Sequence, residues 1–393
     1  MKLYHGSPKN LRILKPQKAR GEQDLENQKA IFLTKSFFQA GLYAIGKTLK
    51  GKTAFAVAPT KLIILGKDFP KNAYVYRVNV NAKKGVWDQY YYKRPIKKFQ
   101  KEKVNPNDFK KHIVYVKTKG ELTNICIKEK KKYYKQNNIL FPRIKFKQSN
   151  YKKDIGVILK IVLPPRNFWQ WQNKILNKYP KLRKKLEFKP KKEQRMIVEN
   201  YFKKEYQQKK LILLKKRKKF ENFWVKYEDI FLITLSEIMG EFWSKENKEI
   251  VSEISLNPIC PRDLINKLFN LDYNFTKEQV IGVTMHELVH FLWFQKWKKV
   301  FRNSKSKLKT KEGVLHISEF IPYVILNSQK FQSIFKYKHK TYEEYLKIKI
   351  NKKPLLNYIM EIYKNRRNFK EFMIKSDEFF AKHEKSILKS LNN

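Results

Sequence analysis

The residues most able to do chemistry stand in one short run, Thr284-Met285-His286-Glu287-Leu288-Val289-His290. Its centre reads H-E-x-x-H. Residues four apart on a helix share a face, so His286 and His290 can turn both imidazoles toward one zinc ion. Glu287 follows His286 directly and sits at the edge of that face. From there it can take a proton from water as a general base without becoming a ligand. The chain holds only seven histidines, so two of them at this spacing carry weight.

A zinc site that works on a substrate wants a third protein ligand and one open position. Lys296 stands where an extended H-E-x-x-H-x-x-G-x-x-H pattern would put a third histidine, and Trp293 replaces its glycine. That form is excluded. The next helical segment offers Glu319, with His316 and Glu312 as competitors. His316 shares a helix face with Glu319 and could instead support it from behind.

These groups need rigid elements to hold them. A helix is predicted from Thr276 to about Val300, opened by a capping box of Thr276 with Gln279. Ile281, Met285, Leu288, Val289 and Leu292 would anchor it, and Gly282, one turn before His286, would leave room over the metal. Glu319 falls on a helical segment of about Val314–Leu326. Pro322 there predicts either a kink or a helix that starts near Ser318. Upstream, Glu249–Leu256 reads as a strand, ended by Pro258 and Pro261, and Cys260 reads as a small buried hydrophobe. Tyr227–Met239 reads as a helix stopped by Gly240. A basic helical region, Pro180 to Trp224, should split at Pro190. Ile155–Leu163 reads as a strand closed by Pro164 and Pro165. Terminal helices are expected around Tyr342–Tyr363 and Arg367–Leu391.

His286-Glu287-x-x-His290 followed by Glu319 resembles the zincin metallopeptidases of the glutamate-ligand type. The resemblance spans much of the C-terminal block. It implies one zinc per chain held by His286, His290 and Glu319, with Glu287 as general base in peptide-bond hydrolysis and a peptide or protein as substrate. It also implies an edge strand that binds the substrate by strand addition, a role that would fall to Glu249–Leu256. A Tyr or His would support the oxyanion, with Tyr323, Tyr337, His339 and Tyr342 as candidates. The sequence departs from the thermolysin-like pattern around Glu319. Ser318 stands where Asn would precede the ligand, and Tyr323 where Asp would follow four residues on.

Residues 1–122 carry short β-branched runs at Lys2–Tyr4, Ala30–Thr34, Lys61–Leu65, Ala73–Val80 and His112–Lys117, with one helix at Ser36–Ile45. Leu3-Tyr4-His5-Gly6-Ser7, followed by Ile31-Phe32-Leu33-Thr34, resembles the ADP-ribosyltransferase-like fold. That likeness implies an NAD pocket at His5, Ser7 and Thr34. Gln89 is the candidate for the late third element.

Composition bounds the rest. The 393 residues carry 88 Lys and Arg against 35 Asp and Glu, a formal net charge of +53. An apolar fraction of 42% excludes wholesale disorder. No apolar run is long enough for a transmembrane helix, and the first residues lack the hydrophobic stretch of a secretory signal. A cytoplasmic protein is expected. Cys126 and Cys260 are too few for a disulfide framework or a cysteine-rich zinc site. The excess of Lys runs along the whole chain, as a solvated basic surface would require; a nucleic-acid or other polyanion partner is the alternative. The expected class is α+β. A mixed accessory domain covers 1–122, a basic linker 123–154, and a mainly helical zincin-like domain with a small sheet 155–393. The leading reading is zinc-dependent peptide hydrolysis. The alternatives are a nucleic-acid- or anion-binding protein with an inactive zincin domain, and an NAD-binding or ADP-ribosyl-transferring enzyme.

Overall fold

In the computed structural model, the strand Lys2–Ser7 runs antiparallel between Lys29–Thr34 and Ala73–Asn79. Residues 1–18, 24, 27–85, 88–163, 171–302, 306–308, 310–335 and 337–392 are described. The class is α+β, and the chain divides into two units. The first comprises Met1–Leu140, Leu232–Phe242 and Asn365–Phe372; the second comprises Phe141–Phe231, Trp243–Lys364 and Met373–Asn393.

In the first unit, alternation along Lys2–Ser7 sends side chains to two faces. Leu3 joins Ile31, Leu33 and Tyr76 in one apolar cluster. Tyr4 faces the other way, onto a cluster built around Ala40, Leu42 and Ile45 of the helix Phe37–Gly46. Gly6 lets that helix rest on bare backbone, since a Cβ there would stand 2.1 Å from the Ala40 carbonyl oxygen. Gln89–Tyr92 and Gln100–Val104 extend the sheet, which the sequence reading did not foresee. A second sheet joins Ile113–Val116, Leu62–Leu65 and Phe55–Val57.

The segment 123–154, expected as a basic linker, is ordered. Lys119–Gln136 is a helix whose N-cap, Thr118, accepts a hydrogen bond from the Glu121 amide. Leu122, Ile125 and Cys126, spaced three and four apart, turn onto Ile63 and Val116. Lys128, Lys131, Lys132 and Lys135 are exposed, while Lys130 reaches the buried Glu237. Arg143–Gln148 then forms a strand with Ile144 and Phe146 buried and Arg143, Lys145 and Lys147 outward.

That strand changes the sheet of the second unit. The order is Arg143–Gln148, Glu249–Ser255, Leu268–Asp272, Arg262–Asp263, the first three mutually parallel and the last antiparallel. Glu249–Ser255 is therefore enclosed on both sides and is not an edge strand. Ile155–Leu163, expected as a strand, belongs to a helix, Tyr151–Val162. Asn150 caps it through the Lys152 and Lys153 amides, and Ile155, Ile158, Leu159 and Val162 make one buried face. Pro164 and Pro165 lie outside the described residues.

Pro190 separates the helices Pro180–Leu186 and Lys191–Trp224 as expected. Gly240, at φ +59°, follows the helix Glu228–Met239. The predicted helix Tyr342–Tyr363 is broken. Glu343–Lys347 leads into a hairpin of Lys349–Ile350 with Lys353–Pro354, and Leu355–Asn365 resumes the helix. Asn351 and Lys352 turn the hairpin with φ of 48° and 66°, the signs a two-residue type I′ turn requires. No helix among the described residues is long and apolar enough to cross a membrane.

Candidate metal centre

The helix Lys277–Val300 opens with both bonds of a capping box. The Gln279 amide donates to Thr276 Oγ1 at 3.3 Å, and the Thr276 amide donates to Gln279 Oε1 at 2.9 Å. Its middle is buried all round, from Val280 through Trp293 with only Val283 partly exposed, so the two histidines are set into the interior. The helix Lys311–Leu326 carries Glu319. It is capped by Thr310, begins at Lys311 and continues past Pro322, so it does not start near Ser318. Pro322 lacks the amide proton that would bond the Ser318 carbonyl.

Three atoms converge. His290 Nε2 lies 2.9 Å from His286 Nε2. Glu319 Oε2 lies 3.2 Å from the first ring's Nε2 and 3.5 Å from the second's. Ligands placed tetrahedrally around zinc at its usual bond lengths stand about 3.3 Å apart. The spacing and the donor set, two imidazole nitrogens and one carboxylate oxygen, fit such an ion. Among the described residues this is the one group of His, Cys, Asp and Glu side chains gathered closely enough for that.

The carboxylate is shared with a cation. Arg262 Nη2 donates to Glu319 Oε1 at 2.7 Å, and Arg262 Nη1 stands 3.6 Å from Glu287 Oε2. Burial alone would push Glu319 up; Arg262, and after it the histidines, hold its carboxyl well below the usual range. For Glu287 burial wins, and its carboxyl is raised against the pull of Arg262 and His286. Burial, then Arg262, lowers His290 to about 3, so its ring is neutral. Arg262 is the residue that sequence reasoning missed. It lies on a strand of two residues after a proline-rich turn, where Cys260 takes a left-handed φ of 55°. No motif marks it; the only signal is that two buried carboxylates call for a cation. Cys260 itself, expected as buried, is half-buried, and burial pushes its thiol pKa up.

The oxyanion candidates part ways. His339 Nε2 stands 3.0 Å from His286 Nδ1. Tyr337 puts its hydroxyl where a Gly282 Cβ would be, 2.0 Å from that point, so the space expected over the metal is filled. Burial, then Glu319 and Glu287, raises Tyr342 well above the usual phenol range. The main-chain carbonyl of Tyr323 accepts from Asn327 Nδ2 at the end of the helix. His316 is turned away: its Nδ1 faces the Tyr345 hydroxyl at 2.9 Å and its Nε2 faces Glu312 at 3.6 Å.

Comparison with known protein families, curated proteins and solved structures finds no match.

In the first unit, His5 and Ser7 stand opposite Tyr76 and Tyr74 and share their face of the sheet. Thr34 stands opposite Tyr4 and Gln89, on the other face, with its hydroxyl donating to Gln39 Oε1 at 3.1 Å. His5 Nδ1 meets the Phe32 carbonyl at 2.9 Å. His5 and Ser7 thus lie on one face of the sheet and Thr34 on the other.

Proposed function

We propose that the second unit is a zinc-dependent hydrolase of peptide bonds, acting in the cytoplasm. The observation that supports this best is the convergence of His286 Nε2, His290 Nε2 and Glu319 Oε2 beside a carboxylate, Glu287, whose Oε2 is buried without a hydrogen bond. Bound zinc would supply Lewis-acid polarisation of water and of the scissile carbonyl. His286 and His290 would hold it through Nε2, and Glu319 through Oε2. Glu287 takes the proton from the attacking water and passes it to the leaving amine. Because Glu249–Ser255 is enclosed, the substrate would add as a strand to Arg262–Asp263, the sheet edge that leads to the cluster.

The test is zinc content together with turnover of a mixed peptide library. Wild type should hold about one zinc per chain. His286→Ala and His290→Ala should lose it, and full retention in both would remove the assignment. Glu287→Gln should keep its zinc and lose about 100-fold or more in turnover, the scale of a general base. Wild-type turnover in that variant would leave any bound metal a structural role.

A further inference from the structure

We infer that Arg262 is a positioning residue for the metal: it holds Glu319 as a one-oxygen ligand and keeps Glu287 out of the ligand set. This rests on the metal reading above. The two oxygens of Glu319 are divided, Oε1 at 2.7 Å from the guanidinium and Oε2 at 3.2 and 3.5 Å from the imidazoles. A carboxylate released from Arg262 could turn both oxygens to the ion.

The second half concerns Glu287. It adjoins a ligand on the helix and points at the same guanidinium, 3.6 Å away. Two His and two carboxylates would make four protein ligands, which is how zinc sites close into structural ones. A cation between the carboxylates satisfies the second one by charge and leaves the fourth position open. Arginine suits the task because its planar fork reaches two acceptors at once, whereas lysine is a point charge. The backbone beneath it is fixed by the pairing of Arg262 with Phe269, and Nη2 also lies 3.4 Å from Ser318 Oγ.

The experiment uses the full chain as wild type, Arg262→Lys and Arg262→Ala. It reads zinc affinity by competition with a chromophoric chelator and ligand number by the visible absorption of the cobalt(II)-loaded protein. Arg262→Ala should bind zinc more tightly, by about 10-fold, because the ion gains ligand oxygens and loses a neighbouring positive charge. Its cobalt bands should weaken, as they do when the coordination number rises, and Arg262→Lys should fall between. If Arg262→Ala does not fold, Arg262→Gln, which keeps length and a donor but not the charge, is read in its place. Equal zinc affinity and an unchanged cobalt spectrum in the variant overturn the clamp and leave the metal reading standing. A wild type that takes up neither zinc nor cobalt overturns both.

Discussion

His339 presents Nε2 to Nδ1 of His286 at 3.0 Å, imidazole to imidazole. Only one proton arrangement leaves His286 Nε2 free for a metal: His286 Nδ1–H donates, and His339 keeps its own proton on Nδ1. That nitrogen is buried without a partner. His339 is held from behind, its amide donating to Asn327 Oδ1 and its carbonyl accepting from Asn327 Nδ2. A neutral ring thus takes the place that a carboxylate commonly fills behind a zinc-binding histidine. His339→Ala should weaken zinc binding by about 10- to 100-fold. Asn327→Ala should weaken it less, in the same direction. Chelator competition checks both, and wild-type affinity in His339→Ala would contradict the pairing.

Gly282→Ala should be costly, although alanine is the better helix former. The new methyl would meet the Tyr337 hydroxyl at 2.0 Å and its ring carbon at 2.5 Å. Overpacking of this kind costs about 1–3 kcal/mol. With Tyr337→Ala in the same chain the clash is gone, and the substitution should turn neutral or favourable by about 0.5–1 kcal/mol. A double-mutant cycle from denaturant unfolding measures this coupling; additive effects would place Tyr337 elsewhere.

Phe146 separates a strand from a linker. It is 3% exposed on Arg143–Gln148, and Phe146→Ala should cost about 3–5 kcal/mol of stability. Lys147→Ala, on the outward face, should change stability by less than about 0.5 kcal/mol. Equal, small effects in chemical denaturation would return this segment to the solvent.

Asp154 gives a dependence on pH. It is buried, accepting from the Tyr206 hydroxyl and from Ser255 Oγ. Burial raises its pKa against those bonds. A folded pKa above the unfolded one means that folding favours the protonated acid. Its contribution is complete below the unfolded pKa and is lost as pH rises through the folded one. Asp154→Asn lacks that loss. The melting temperature of the variant minus that of wild type should therefore rise from about pH 4 to about pH 7. A flat or falling difference contradicts the raised acid.

The helix of His286 was legible because its signals are local: a capping box, a glycine one turn before the first histidine, and apolar residues at helical spacing. Glu319 could be picked out as a carboxylate on the next helix. Arg262 could not, because its meaning lies in a partner 57 residues away and its strand is too short to show a period. The sheet was misread for a related reason. In Arg143-Ile144-Lys145-Phe146-Lys147 the period of two is present, but the run of charge hides it. In Ile155–Leu163 β-branched residues suggest a strand, whereas the Asn150 cap and the four-residue spacing of Ile155 and Leu159 decide for a helix. Enclosure of Glu249–Ser255 followed from the first of these errors.

The chain enters the first unit three times, at Met1–Leu140, Leu232–Phe242 and Asn365–Phe372. Within that unit the phenol of Tyr134 faces Glu237 and its ring meets that of Phe242, 5.5 Å between centroids. The two halves are thus threaded rather than strung end to end, and no single cut yields either one whole. A piece beginning at Phe141 would carry the buried Leu232, Leu235, Ile238 and Met239 without Met1–Leu140 of their own unit. Such a piece should aggregate on expression, whereas nicking the intact protein after Leu140 should leave both fragments bound to one another.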